Sequence, residues 1–207
     1  MLLSSRFKFL VHIRQWFISF LFHHPWIYPY LASSPLDMNT QDDIDTARSI
    51  FSKHMQWIGK DDNIKLHSIE KRNVPSPSGH DIPITVFTPP QEKQEDENWV
   101  MVNAPPLIFY IHGGGWTVGS TQDYDRLLQT LCFTSNCIVM AIDYRKAPEY
   151  PYPAALEDVE DVYRYILQTS SIWKFNPQKI YLAGDSAGGK QNSILKKIKT
   201  IMFFLYI

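Results

Sequence analysis

Residues 180–189 read Ile-Tyr-Leu-Ala-Gly-Asp-Ser-Ala-Gly-Gly, and this segment gives the clearest indication of how the chain folds. An apolar run ends in the pattern Gly-x-Ser-x-Gly, whose glycines permit a sharp turn from a strand into a helix. Such a turn lifts Ser186 out of the strand end in a strained conformation. The N–H of Ala187 would then lie at a helix N-terminus, where it can donate to a developing oxyanion. The pattern therefore predicts a nucleophilic serine.

A second glycine-rich motif supports the same chemistry. Residues 112–116 read His-Gly-Gly-Gly-Trp and directly follow the apolar run 107–111. Three consecutive glycines remove every Cβ from a loop, so that backbone N–H groups can closely approach a ligand oxygen. A pair of such donors aimed at a developing oxyanion stabilises the transition state of acyl transfer by a few kcal/mol. We expect His112 to shape this loop rather than to act as a base.

The pattern of apolar runs predicts an α/β fold. Residues 107–111, 138–142 and 180–183 are apolar throughout, as in strands that are buried on both faces of a parallel sheet. Helical spacing lies between them, and the order strand, helix, strand, helix, strand is typical of βαβ units. Upstream, residues 65–88 predict a β-hairpin. A T-x-x-D pattern at Thr40 predicts the start of an N-terminal helix.

Composition excludes several classes of function. The chain has 207 residues, 20 Lys and Arg against 21 Asp and Glu, and a formal net charge of −1, without the basic excess of a nucleic-acid-binding protein. Cys132 and Cys137 have neither the spacing of a CxxC pair nor that of a metal site, and we expect two packed thiols. We therefore predict no nucleic-acid partner and no metal site at the cysteines.

The N-terminal segment 1–31 leaves two interpretations open. Residues 15–36 contain no Asp, Glu, Lys or Arg, a length that could span a bilayer as a helix, but Pro25, Pro29 and Pro35 interrupt it. We interpret residues 1–31 as an aromatic-rich amphipathic segment that lies on a membrane surface or packs on the domain. A transmembrane anchor of the endoplasmic-reticulum type is the other possibility. The sequence is thus compatible with a cytoplasmic or a membrane-associated protein, and its oligomeric state stays open.

Residues 65–189 resemble the hormone-sensitive-lipase-like branch of the α/β-hydrolase fold, which includes arylacetamide deacetylases and carboxylesterases. The resemblance rests on residues 112–116, on Asp-Tyr-Arg-Lys-Ala-Pro-Glu at 143–149, on residues 153–158 and on 184–189. It implies serine acyl transfer on a small-molecule ester or amide, without a metal or an organic cofactor. It implies Ser186 as nucleophile and the N–H groups of Gly113, Gly114 and Ala187 as the oxyanion hole. The residues that would support these motifs are His112, Gly115, Gly184, Asp185 and Gly188.

In this fold, the three residues of the catalytic triad follow a fixed order along the chain, and this order bears on whether the chain is active. An Asp or Glu and then a His follow the nucleophile along the chain. After Ser186 this sequence has no Asp, Glu or His. We therefore expect the N-terminal part of a hydrolase sheet, with later strands absent, the strand 180–183 at the edge, and negligible turnover. The alternative is a non-catalytic small-molecule-binding or interaction protein of the same fold.

Three regions follow from this interpretation. Residues 1–60 would form the N-terminal segment and a cap helix, residues 61–189 a partial hydrolase domain, and residues 190–207 a tail. The tail contains no Gly, Ala, Pro or Arg and departs in composition from the rest of the chain. Its apolar residues nevertheless keep helical spacing, so we predict a helix from about residue 187 onward.

Overall fold

The fold is built around one mixed β-sheet. The structure is a computed structural model that describes residues 40–57, 64–90, 104–198 and 204–206. The sheet has six strands in the order β1-β2-β4-β3-β5-β6. These strands are β1 (Ser68–Pro75), β2 (Asp81–Thr88), β3 (Leu107–Ile111), β4 (Ile138–Ile142), β5 (Ile180–Gly184) and β6 (Phe204–Tyr206).

Strand direction divides the sheet into two parts. β1 and β2 form the predicted antiparallel hairpin, and β2 pairs antiparallel with β4. β4, β3, β5 and β6 are parallel to one another. β3 and β4 are buried at every position, which confirms the prediction drawn from their unbroken apolar runs.

Helices cover both faces of the sheet, as the βαβ pattern predicts. They are α1 (Gln41–Trp57), α2 (Asp125–Ser135), α3 (Ala154–Gln168), α4 (Ser170–Trp173) and α5 (Ser186–Ile198). Because side chains alternate along a strand, β3 contributes to both faces. Phe109 packs in the cluster with Val159 and Ile166 of α3. Tyr110 packs on the other face with Leu128 of α2.

The N-terminal helix α1 begins as its capping pattern predicts. The Thr40 hydroxyl accepts a hydrogen bond from the Asp43 N–H at 3.2 Å, and the Asp43 carboxylate accepts one from the Thr40 N–H at 3.2 Å. This reciprocal pair is a capping box with Asp in the position usually held by Glu. Of the helices that the structure describes, none combines the length and the apolar character needed to cross a bilayer. The segment 1–31 lies outside the described residues, so its predicted membrane contact stays a prediction.

The far side of β5 differs from the sequence-based expectation. We expected the strand 180–183 at the edge of the sheet, with later strands absent, but β6 pairs parallel with β5, with Leu182 opposite Phe204 and Gly184 opposite Tyr206. The predicted helix in the tail explains this: α5 carries the chain back along the sheet, so that residues 204–206 reach the next strand position. The tail therefore supplies one short strand that its composition did not predict.

Candidate active site

The two glycine-rich motifs lie side by side at the carboxyl edge of the parallel strands. β3 and β5 are neighbours, and Ile111 at the end of β3 is opposite Gly184 at the end of β5. The loop 112–119 therefore leaves the sheet beside the turn that begins at Asp185. Open parallel sheets bind ligands at this edge, so the topology brings together the motifs that the sequence placed 74 residues apart, at 112 and 186.

The turn at Ser186 has the strained backbone expected of a nucleophile elbow. Ser186 has a φ of 47°, in the left-handed region, and its side chain is exposed. The carbonyl of Asp185 accepts hydrogen bonds from the N–H groups of Gly188 at 2.8 Å and Gly189 at 3.2 Å, which start helix α5. A Cβ at Gly188 would collide with the carbonyl oxygen of Ile111. Only glycine at this position lets α5 pack this closely against the end of β3.

The carboxylate of Asp185 joins the two motifs. Its Oδ1 accepts hydrogen bonds from the N–H of Gly113 at 2.9 Å and from the hydroxyl of Tyr110 at 3.0 Å. Its Oδ2 accepts one from the hydroxyl of Tyr124 at 2.8 Å. Burial raises the pKa of Asp185, while the hydrogen bonds from Tyr124, Tyr110 and Gly113 oppose that rise. Asp185 is thus a structural acceptor that fixes the glycine loop to the elbow.

This contact changes the expected set of oxyanion donors. The N–H of Gly113 points to Asp185 and is not free for a ligand, so the expectation for Gly113 is not met. A Cβ on Gly113 would strike the Asp185 carboxylate, which explains the need for glycine there. Within the described ranges, the N–H groups of Gly114, Gly115 and Ala187 have no hydrogen-bond acceptor. These three amides are therefore candidate oxyanion donors at this edge.

The remainder of the loop is a tight turn with left-handed backbone. Gly114 and Gly115 have φ values of 112° and 60°, and Trp116 follows at 61°. The carbonyl of Gly114 accepts hydrogen bonds from the N–H groups of Thr117 at 3.1 Å and Val118 at 2.9 Å. Glycine removes the steric cost of positive φ at two of these three positions. The hydrogen bonds of this turn do not use the N–H groups of Gly114 and Gly115.

His112 contacts the loop through buried groups, and its burial keeps the imidazole neutral. Its ring stacks on Tyr144 with 4.3 Å between centroids, and the hydroxyl of Tyr144 donates to the His112 carbonyl at 2.9 Å. Burial lowers the pKa of His112 to about 4, against a smaller opposing effect of the Gly113 carbonyl at Nδ1. The imidazole is 1% exposed, so it cannot reach a substrate. The prediction that His112 shapes the loop is in accord with this position.

Two further acidic residues, Asp143 and Asp158, also have structural partners. Asp143, after β4, accepts from the N–H of Thr121 at 2.7 Å and from its hydroxyl at 2.6 Å. Asp158 on α3 is 1% exposed and accepts from the N–H of Arg145 at 2.8 Å and from its Nε at 2.9 Å. His80 approaches the same carboxylate at 2.8 Å. These groups hold the loops in place and are not available as a catalytic base.

Ser186 has no base beside it among the described residues. Its hydroxyl makes no side-chain hydrogen bond there, and the described histidines at positions 54, 67, 80 and 112 make none to it. The described ranges also hold no group of three His, Cys, Asp or Glu side chains that could bind a metal ion. A polar cleft of about 600 Å³ lies further along the same edge, between Lys71, Asp143 and Lys146. Neither Ser186 nor the glycine loop lines that cleft.

Sequence reasoning missed three residues that shape this site. Tyr110 and Tyr124 fit an apolar sequence pattern, and nothing in that pattern indicates that their hydroxyls donate to Asp185. Arg48 on α1 was not singled out at all, although its Nε donates to the Thr117 carbonyl at 3.0 Å. A polar tip on an otherwise buried aromatic is a signal that could have identified the tyrosines, because a buried hydroxyl needs a partner. No sequence spacing points to Arg48.

Comparison with known proteins identifies the class of this segment. Residues 108–194 match a family described as the alpha/beta hydrolase fold. The chain is 33% identical over 130 residues to carboxylesterase NlhH of Mycobacterium tuberculosis and 30% identical over 145 residues to arylacetamide deacetylase of Oryctolagus cuniculus. These matches cover 63% and 68% of this chain. The chain thus carries a carboxylesterase-like α/β-hydrolase segment.

Solved structures give the same result for the fold. An esterase of Pyrobaculum calidifontis superposes with a TM-score of 0.65 at 29% identity, over 78% of this chain and 50% of that chain. The carboxylesterase EstE1, cloned from a metagenomic library, gives 0.64 at 26% identity over 75% of this chain and 50% of that chain. The matched part of the chain spans 38% of NlhH and 34% of the deacetylase. The resemblance therefore concerns about a third to a half of each relative.

Proposed function

We propose that this chain presents the nucleophile and the oxyanion hole of a carboxylic-ester hydrolase. Ser186 is the nucleophile, and the N–H groups of Gly114, Gly115 and Ala187 receive the oxyanion. The observation that carries the proposal is the backbone of Ser186: its exposed side chain stands on a left-handed turn next to amides that lack acceptors among the described residues. Strained backbone of this kind persists where the surrounding structure and the chemistry require it.

The substrate is a small-molecule ester. Relatives named for this chemistry include an ethyl acetate hydrolase of Pseudomonas putida, 32% identical over 117 residues. In the proposed step the Ser186 oxygen attacks the ester carbonyl carbon, and the carbonyl oxygen gains negative charge. The three N–H groups stabilise that charge by hydrogen bonding. Loss of one such donor reduces the stabilisation of the transition state by roughly 3 kcal/mol. The hydroxyl proton of Ser186 leaves on the alcohol, while the acyl group stays bonded to the Ser186 oxygen. Water then hydrolyses this ester, which releases the acid and restores the hydroxyl.

The chain on its own is a slow catalyst in this proposal. A serine hydroxyl needs a general base to lose its proton, and all seven histidines of the sequence precede Ser186. Loss of the base and of its orienting carboxylate reduces turnover by about 10⁴ to 10⁶. We therefore expect negligible hydrolysis of p-nitrophenyl acetate by the 207-residue chain.

A fluorophosphonate ester tests the proposal directly, because it forms a stable bond to an activated serine. We expect slow labelling of the chain at Ser186, located by peptide mass spectrometry, and none in Ser186→Ala. Ser171→Ala is the matched control, since Ser171 is also an exposed serine at the start of a helix. Equal labelling of the Ser186→Ala variant would contradict the proposal. No labelling of either protein would favour the non-catalytic binding role.

A further inference from the structure

Arg48 connects the N-terminal helix to the loop that forms the oxyanion hole. Its Nε donates to the carbonyl of Thr117 at 3.0 Å, and its Nη2 donates to the carbonyl of Ala147 at 3.2 Å. Its Nη1 and Nη2 bind both oxygens of Glu149, at 2.7 Å and 2.8 Å. One planar guanidinium thus joins three segments of the chain: α1, the loop after β3 and the loop after β4.

The loop 112–119, here called the oxyanion loop, depends on such external contacts because its glycines carry no side chains. Asp185 holds the loop at the N–H of Gly113. At the other end, the carbonyl of Trp116 accepts from the Ala147 N–H at 2.9 Å, and the carbonyl of Thr117 accepts from Arg48. The N–H of Thr117 is itself bonded to the Gly114 carbonyl at 3.1 Å. The position of Thr117 therefore sets the orientation of the turn that begins at Gly114.

We propose that Arg48 is a positioning residue for the oxyanion hole: by holding the Thr117 carbonyl it fixes the turn that directs the Gly114 and Gly115 amides toward the substrate. The proposal rests on the function proposed above for these amides. It assigns a role in the site to the N-terminal helix α1, because α1 carries the Arg48 side chain that holds the loop. Arg48 touches no reacting atom in this arrangement and acts only through the backbone of the loop.

Two features separate this role from simple attachment of the helix. First, α1 has apolar contacts of its own: Met55 is 8% exposed in the core, and the Phe51 ring lies 6.2 Å from that of Tyr124. Helix docking therefore does not depend on Arg48 alone. Second, Glu149 accepts hydrogen bonds from Nη1 at 2.7 Å and from Nη2 at 2.8 Å and so holds the guanidinium in one orientation, and these hydrogen bonds lower the pKa of Glu149 to about 2.

Hydrogen–deuterium exchange of the full chain tests the role without requiring catalysis. Arg48→Met keeps the apolar stem and removes all donors. We expect exchange of the hydrogen-bonded amides in residues 113–118, which are those of Gly113, Thr117 and Val118, to rise about tenfold. Exchange in α1 and in the sheet should stay within about twofold of the parent, since loss of one anchoring side chain opens a segment locally. Glu149→Gln keeps the bond to Thr117 and should raise exchange in 113–118 by about threefold at most. Arg164→Met removes an exposed ion pair with Glu160 and should leave the loop unchanged.

The rate of fluorophosphonate labelling at Ser186 gives the second readout. We expect Arg48→Met to lower it about tenfold, with Arg164→Met equal to the parent. Unchanged exchange in residues 113–118 of Arg48→Met would overturn the proposal. So would an equal rise in α1 and the loop, which would mean general undocking of the helix. An effect of Glu149→Gln as large as that of Arg48→Met would also overturn it. If the parent does not label, the proposed function fails, while the exchange data still decide the role of Arg48.

Discussion

Substitution of Asp185 by alanine should destabilise the fold, because the Asp185 carboxylate is the shared acceptor of three hydrogen-bond donors. The change leaves the Gly113 N–H and the hydroxyls of Tyr110 and Tyr124 without a partner, and these tyrosines are 0% and 2% exposed. A buried donor without an acceptor costs about 1–3 kcal/mol, so three of them cost roughly 3–9 kcal/mol. Removal of a buried carboxylate, whose pKa is already raised by burial, offsets part of this. We expect a net loss of about 3 kcal/mol.

Urea unfolding followed by circular dichroism measures this loss, and Asp185→Asn is the matched variant. The amide keeps one acceptor oxygen, so we expect a smaller loss, about 1 kcal/mol. Tyr124→Phe added to Asp185→Ala removes one orphaned hydroxyl and should restore about 1 kcal/mol, whereas Tyr124→Phe alone should destabilise. An Asp185→Ala protein as stable as the parent would refute the reasoning. Strict additivity of Asp185→Ala and Tyr124→Phe would refute it as well.

Three further changes have calculable effects on stability. His112, with a pKa lowered from 6.5 to about 4, stays neutral in the fold while the unfolded chain takes up a proton. The free energy of unfolding should therefore fall by about 3 kcal/mol between pH 6.5 and 4. Thermal unfolding at a series of pH values should show a smaller pH dependence in His112→Gln. Gly188→Ala places a Cβ against backbone oxygens of Ile111 and His112 and should lower the free energy of unfolding in urea by about 3 kcal/mol. An unchanged urea midpoint would argue against this close approach. Gln191 and Asn192 on α5 are each 1% exposed, and their amide atoms lack partners among the described residues. Gln191→Leu and Asn192→Leu should each raise stability by about 1 kcal/mol, and a lower midpoint in both would show that the amides are satisfied.

The sequence was sufficient for the parts of the fold that follow from local pattern. Unbroken apolar runs predicted β3, β4 and β5, and the helical spacing between those runs predicted α2 and α3, because burial imposes these patterns directly. The strand β6 was not predicted, since a three-residue strand has too few positions to show a period. Its place depends on α5, whose length sets where the chain returns to the sheet.

The candidate site divides in the same way. Ser186 and the glycine loop were located by their own motifs, because each needs glycine at fixed positions for steric reasons. The engagement of Gly113 by Asp185 was not predictable, as it depends on the distance between two loops 72 residues apart in sequence. Arg48 lies 69 residues from its acceptor Thr117, and nothing local marks such a long-range contact.

The left-handed backbone at Ser186 sets stability and reactivity against each other at a single position. A non-glycine residue with this φ costs about 1–2 kcal/mol relative to glycine, which adopts such a conformation freely. Ser186→Gly would therefore strengthen the fold while removing the hydroxyl that we propose as the nucleophile. Selection for a more robust domain and selection for a working nucleophile would favour different residues here.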